Sequence, residues 1–162
     1  MATATKKASA SANSKPQEAT ALLRADHKRV SDLFEQYEKS RSVTKKMDLV
    51  STICTELGVH TRIEEEIFYP AVKAALKDKE LVPEATVEHA SVKDLIAQVK
   101  GVTPDGEMFD AKIKVMAEFV KHHVKEEQNE MFPKAKKTKL DMLSLGAQMA
   151  ARKAELLASG DY

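Results

Sequence analysis

Four stretches of this chain repeat apolar residues at alternating intervals of three and four, and each puts a histidine on the stripe. The first stripe is Leu23, His27, Val30, Phe34 and Tyr37. The second is Val50, Ile53, Leu57, His60, Glu64, Ile67 and Ala71. The third is Val82, Ala85, His89, Val92, Ile96 and Val99, and the fourth is Phe109, Ile113, Met116, Val120, His123 and Glu127. Such spacing keeps side chains on one face of an α-helix. Four one-sided helices bury those faces against one another, so the spacing predicts an all-α helix bundle. Two of the stripes also carry a glutamate four residues after a histidine: His60 with Glu64, and His123 with Glu127. A carboxylate in a core costs several kcal/mol unless something positive compensates it. No Arg or Lys falls in register on these stripes, and a bound cation is the simplest compensation.

The breaks between stripes agree with this division. Arg41 to Lys45 is polar, Asp78 to Pro83 places a proline near a helix start, and Gly101 to Gly106 holds Pro104. Pro70 and Pro133 fall where a helix kinks or stops. Because Ala71 to Lys77 still reads as helical, a kink is expected at Pro70. Residues 1–16 are Ala, Ser, Thr and Lys without an apolar pattern and read as a disordered tail. Residues 17–135 read as the bundle. Residues 136–162 read as a short additional C-terminal helix packing on it, capped by Thr138 and Asp141 and holding Leu140, Leu143 and Leu156.

Composition narrows the function classes. The chain has 162 residues, with 31% charged, 5% aromatic and no Trp, which suits one helical domain. A formal net charge of +1 argues against a general nucleic-acid or membrane binder. The single cysteine, Cys54, excludes an intramolecular disulfide and suits a reducing compartment. No apolar run has the length of a membrane span, and the N-terminus lacks the apolar core of a secretory signal. A cytoplasmic location is the expectation.

The two halves of the chain repeat. His27 precedes His60 by 33 residues and His89 precedes His123 by 34. Aligning HTRIEEEIFYP, from His60, on HVKEEQNEMFP, from His123, pairs Glu64 with Glu127, Glu65 with Gln128 and Pro70 with Pro133. The expected constellation is therefore His27, His60, Glu64, His89, His123 and Glu127. Four imidazoles and two carboxylates are too many for one small cation and divide over two. The repeat suggests His27 with His60 and His89 with His123, with both glutamates bridging, although spacing leaves open which histidine serves which ion. Two divalent ions against two carboxylates leave positive charge that a bridging oxide or hydroxide would offset. One spare coordination position on a redox metal would admit a diatomic or a peroxide.

Other residues read more simply. His122 is one position off the stripe and is expected at the surface or behind the site. Met116 and Phe119 are expected in the core, and Cys54 as an inert small apolar residue. Glu65, Glu66, Glu126 and Glu130 read as solvated charges, with Glu130 able to support the site from outside.

The strings DHKRV around His27, HTRIEEEIFYP, EHASV around His89 and HVKEEQNEMFP together resemble the hemerythrin-like HHE cation-binding family over residues 20–135. That resemblance implies an up-and-down four-helix bundle around a carboxylate-bridged, non-haem diiron centre. It makes His27, His60, Glu64, His89, His123 and Glu127 the iron ligands. Oxygen-carrying members have a second histidine four residues after the third-helix one, where this chain has Lys93. They also place an aspartate five residues after the fourth-helix histidine, where it has Gln128. The pattern is similar instead to bacterial members handling oxygen, nitric oxide, peroxide and iron. The resulting expectation is a two-iron protein that binds or reduces a small oxidant, the alternatives being iron storage without turnover and a dizinc hydrolase.

Overall fold

In the computed structural model, which describes residues 15–162, every regular element among the described residues is helical. The elements are α1 (Ala19–Lys39), α2 (Val43–Ile63), α3 (Tyr69–Leu76), α4 (Leu81–Val99), α5 (Glu107–Glu126), α6 (Phe132–Lys136) and α7 (Met142–Ser159). One π-helical turn, Glu64–Phe68, joins α2 to α3, and a second, Glu127–Met131, joins α5 to α6. The described residues thus form five rods. The expected tail over residues 1–16 lies outside the described residues except for Lys15 and Pro16, which are exposed and non-helical.

Local chemistry fixes the rod ends. The Glu18 carboxylate accepts from the Thr20 and Ala21 amides at the start of α1. Ser42 Oγ does the same for Lys45 at the start of α2, and Asp141 for Ser144 at the start of α7. Asp78 accepts from the amides of Glu80, Leu81 and Val82 ahead of α4. These contacts satisfy donors that a helix start otherwise leaves unpaired.

The rods bury their stripes on one another. α1 packs on α2, α5 and α7, and α4 packs on α5 and α2. Two apolar clusters result. One contains Leu23, Ile63, Phe68, Val72, Phe132, Met149 and Leu156. The other contains Val30, Tyr37, Ile53, Leu57, Val92, Ile113 and Met116. Between them lies a polar layer. His27 follows Leu23 of the first cluster and precedes Val30 of the second, and so belongs to it. α7 crosses close to the start of α1, where a Cβ on Gly146 would clash with the Gln17 carbonyl oxygen.

Three expectations require correction. Phe119 is 45% exposed and Leu143 is 59% exposed, so neither is core. The second stripe does not continue through Ile67 and Ala71; Phe68, Tyr69 and Val72 are buried instead. The π turn is the reason. The Tyr69 amide bonds the Glu64 carbonyl five residues back, which adds one residue to the turn and rotates everything after it. That widening also gives Pro70, which has no amide proton to donate, its place in a continuing helix. The second π turn repeats this, with the Phe132 amide bonding the Glu127 carbonyl ahead of Pro133.

Candidate metal centre

All six side chains expected at the site meet in the polar layer, and all are buried. His27 Nε2 lies 3.2 Å from His60 Nε2, and His89 Nε2 lies 3.2 Å from His123 Nε2. Glu64 spans the two pairs: Oε1 is 3.1 Å from His60 Nε2 and Oε2 is 3.2 Å from His89 Nε2. Glu127 Oε2 sits 3.1 Å from His27 Nε2 and 3.8 Å from His123 Nε2. Two groups of donors capable of holding an ion follow, one of His27, His60, Glu64 and Glu127, the other of Glu64, His89 and His123.

Each imidazole is oriented from behind. The Nδ1 atoms face Gln128 Oε1 at 2.9 Å for His27, Asp26 Oδ2 at 3.3 Å for His60, Glu65 Oε1 at 2.9 Å for His89, and Glu88 Oε2 at 2.6 Å for His123. These partners are acceptors, so each Nδ1 carries the proton and donates it. The Nε2 atoms then turn lone pairs toward one another across 3.2 Å. That arrangement is repulsive unless a proton or a cation lies between.

The carboxylates give the same result. Glu64 is 0% and Glu127 2% exposed, and Glu64 Oε1 and Glu127 Oε2 have no hydrogen bond directed at them despite the nearby imidazoles. Nitrogen and oxygen are close but not aimed at each other. Donors held about 2.1 Å from one ion at right angles lie about 3 Å apart, close to the spacings found here. The residues present therefore fit a pair of cations.

Without a cation, protons do the compensating. Burial alone would lower the His60 pKa, but Glu64, Asp26 and Glu127 carry it from 6.5 up to about 10. His89 is likewise opposed by burial yet raised by Glu64 and Glu65 to about 9. Burial would raise the Glu64 pKa, but His60 and His89 hold it well below the ordinary carboxylate range. The charge on the buried glutamates is thus met by imidazolium when no metal is bound.

One central residue escaped the sequence reading. Tyr69 is 2% exposed, and its Oη lies 3.1 Å from Glu127 Oε1 and 3.2 Å from Glu64 Oε2. The same oxygen is 3.2 Å from His89 Nε2 and 3.4 Å from His123 Nε2. Burial, then the two carboxylates, push the phenol pKa well above 10. Spacing hid Tyr69 because the π turn brings it inward; the only available signal was its place beside Pro70 in the repeated string. Spacing gives no signal for Gln128, Asp26, Glu65 and Glu88 as orienting partners, and Glu65, expected as a solvated charge, is instead partly buried against His89. His122 is at the surface as expected, its side chain 62% exposed against Glu88 and Glu126. Glu130 is exposed, and its side chain makes no hydrogen bond or ion pair among those found between the described residues. Lys93, at the site of the histidine of oxygen carriers, instead bonds both Glu65 oxygens at 2.7 Å.

Beside the centre an apolar cavity touches all four histidines and is walled by Val30, Leu57, Val92, Val120 and Val124. It offers room for something small and little that would hold a polar substrate. No helix among the described residues is long and apolar enough to cross a membrane.

Known proteins share this arrangement of sequence and fold. A profile of the hemerythrin HHE cation binding domain matches residues 18–135. A DNA nickase from Nostoc sp. is 28% identical over 111 residues, which is 68% of this chain but 31% of that protein; the chain thus spans about a third of its length. An uncharacterized protein of Mycobacterium tuberculosis is 28% identical over 117 residues, covering 70% of this chain and 71% of its own. The crystal structure of a hemerythrin HHE cation binding domain-containing protein from Mycobacterium kansasii superposes with a TM-score of 0.74. It is 26% identical and covers 88% of this chain and 89% of that one.

Proposed function

Since this chain belongs to the hemerythrin HHE cation-binding domain family, we propose that it is a non-haem diiron protein that binds or reduces a small oxidant, O2, NO or peroxide. We read its frame as an up-and-down four-helix bundle of residues 17–135 with α7 added against it. His27 and His60 would hold the first iron and His89 and His123 the second, with Glu64 and Glu127 shared between them. Tyr69 Oη, 3.1–3.4 Å from four of these donor atoms, would be a seventh donor, on the His89–His123 side. A mixed nitrogen and oxygen set suits iron better than a soft-ligand metal.

The observation that carries this reading is the inward convergence of four imidazole Nε2 atoms on two buried carboxylates. The iron pair would supply the electrons and the Lewis acidity. The chain's own contributions are positional. Orienting acceptors on Nδ1 keep each imidazole in one tautomer. The apolar cavity beside the histidines has room for a molecule of few atoms. In the metal-free protein Tyr69 holds its proton at Oη between Glu64 and Glu127.

Neither a nucleic acid nor a membrane is a proposed partner: the balanced charge supports neither, and the nicking named for the Nostoc relative belongs to a protein of which the match covers only 31%. A second reading is iron binding or storage without turnover. It is favoured by a further group at the surface, Glu88, His122 and Glu126, whose ligand atoms lie within 4.8 Å of one another. Anaerobic loading with Fe(II), followed by exposure to O2, NO and peroxide in turn, tests the first reading. A spectral change with at least one of them, tied to about two irons per chain, is expected. Two irons with no response to any of the three would leave the storage reading standing instead.

A further inference from the structure

The orienting partners around the centre obey the repeat, with a single exception. Asp26 directly precedes His27 and holds His60; Glu88 directly precedes His89 and holds His123. Glu65 directly follows Glu64 and holds His89. At the equivalent place after Glu127 stands Gln128, and it holds His27. Three imidazoles therefore donate to carboxylates, and one donates to a neutral amide.

The carboxylates have further polar neighbours at or near the surface. Lys153 of α7 bonds Asp26, Lys93 bonds Glu65, and His122 lies 3.5 Å from Glu88. Gln128 has no charge to tie. At the two equivalent places the contact lengths are the same, 2.9 Å behind His27 and 2.9 Å behind His89, so what distinguishes them is the charge of the acceptor. An N–H donating to a carboxylate shifts charge onto the ring and makes its other nitrogen the stronger donor, and an amide oxygen does this far less.

We infer that the two cation positions are unequal, that the His27–His60 position is the weaker, and that Gln128 is the positioning residue that makes it so. This rests on the two-metal reading above. The first position then fills last and empties first.

Titrating the metal-free protein with Co(II) under argon, read by visible absorption and calorimetry, tests both statements. The wild-type protein should take two ions in two resolved steps. Gln128→Glu, nearly isosteric, should tighten the weaker step by about 10-fold or more, within the range seen when orienting partners are changed, and leave the tighter step nearly unmoved. Asn129→Asp adds the same charge one residue along, at an exposed position, and should not reproduce the effect. The reciprocal Glu65→Gln should weaken the tighter step and stands in if Gln128→Glu fails to fold. His27→Ala should abolish the weaker step alone. Two ions bound in one step, or equal effects of Gln128→Glu and Asn129→Asp, would overturn the inference. Fewer than two ions in the wild-type protein would instead remove the two-metal reading on which it stands.

Discussion

The two repeated strings build the same backbone and different chemistry. Glu64–Phe68 and Glu127–Met131 are both π-helical, each starts on a buried glutamate, and each leads into a proline-bearing helix. After each turn an aromatic ring enters the polar layer and stacks on a histidine from the other half-site pair. Tyr69 lies on His89 with ring centroids 5.3 Å apart, and Phe132 lies on His27 at 6.0 Å. The first ring carries an oxygen and the second does not. One atom thus gives the His89–His123 side a phenol where the His27–His60 side has only an apolar face. Together with Glu65 against Gln128, it makes a symmetric scaffold hold an asymmetric site. A repeated backbone can keep its geometry while single side chains divide the labour, because the π turn fixes where a residue points and leaves open which residue it is.

The strongest test of this comparison attacks what the halves share. Glu64→Ala and Glu127→Ala each remove a carboxylate that reaches both pairs, so each variant should lose both ions on dialysis, measured by elemental analysis. Loss of one ion only would mean that the glutamates serve separate sites. Next in size is Tyr69→Phe, which makes the first string match the second. It should keep two ions but weaken the tighter position by roughly 10-fold, and the ferric protein should lose its phenolate-to-metal absorption. An unchanged visible spectrum would remove Tyr69 from the ligand set.

The metal-free protein gives a pH test that compares the halves directly. His60 is raised from 6.5 to about 10 and His89 to about 9, so each binds its proton more tightly folded than unfolded. The stability this supplies is complete below pH 6.5 and is lost as pH rises through about 9 and then about 10. Thermal melts of the metal-free protein should therefore fall across that window, and the loaded protein should fall less, because metal replaces those protons. A melting temperature that rises from neutral pH to about pH 10 would contradict the proton-for-metal exchange. The smallest effect belongs to His122→Ala. Its exposed ring should be dispensable, with both ions retained and stability within about 0.5 kcal/mol of wild type. Loss of metal equal to that of His123→Ala would refute the distinction between the two adjacent histidines.

Much of this was legible in the chain. His27, His60, His89 and His123 each lie on a three-four stripe, and the side of a helix that is apolar is the side that faces its neighbours. The expectation that Glu64 and Glu127 lacked a compensating cation was incomplete, however. Among the described residues no Arg or Lys reaches them, but His60 and His89 supply protonated partners in the absence of metal, and raised pKa values arise only once the groups are packed together. Phe119 and Leu143 were misplaced because apolar character alone does not say which face of a rod finds a neighbour.

The sequence by itself determined helices, their breaks, their inward faces and the six nitrogen- and oxygen-bearing side chains on those faces, because a regular helix maps spacing onto direction. Only the tertiary structure decided what surrounds them. The π turns break that mapping and swing Tyr69 inward, and Asp26, Glu65, Glu88 and Gln128 each reach a histidine on a different rod. Such pairings depend on how rods are rotated against one another, and that rotation is set by the whole packed core, not by any local run of residues.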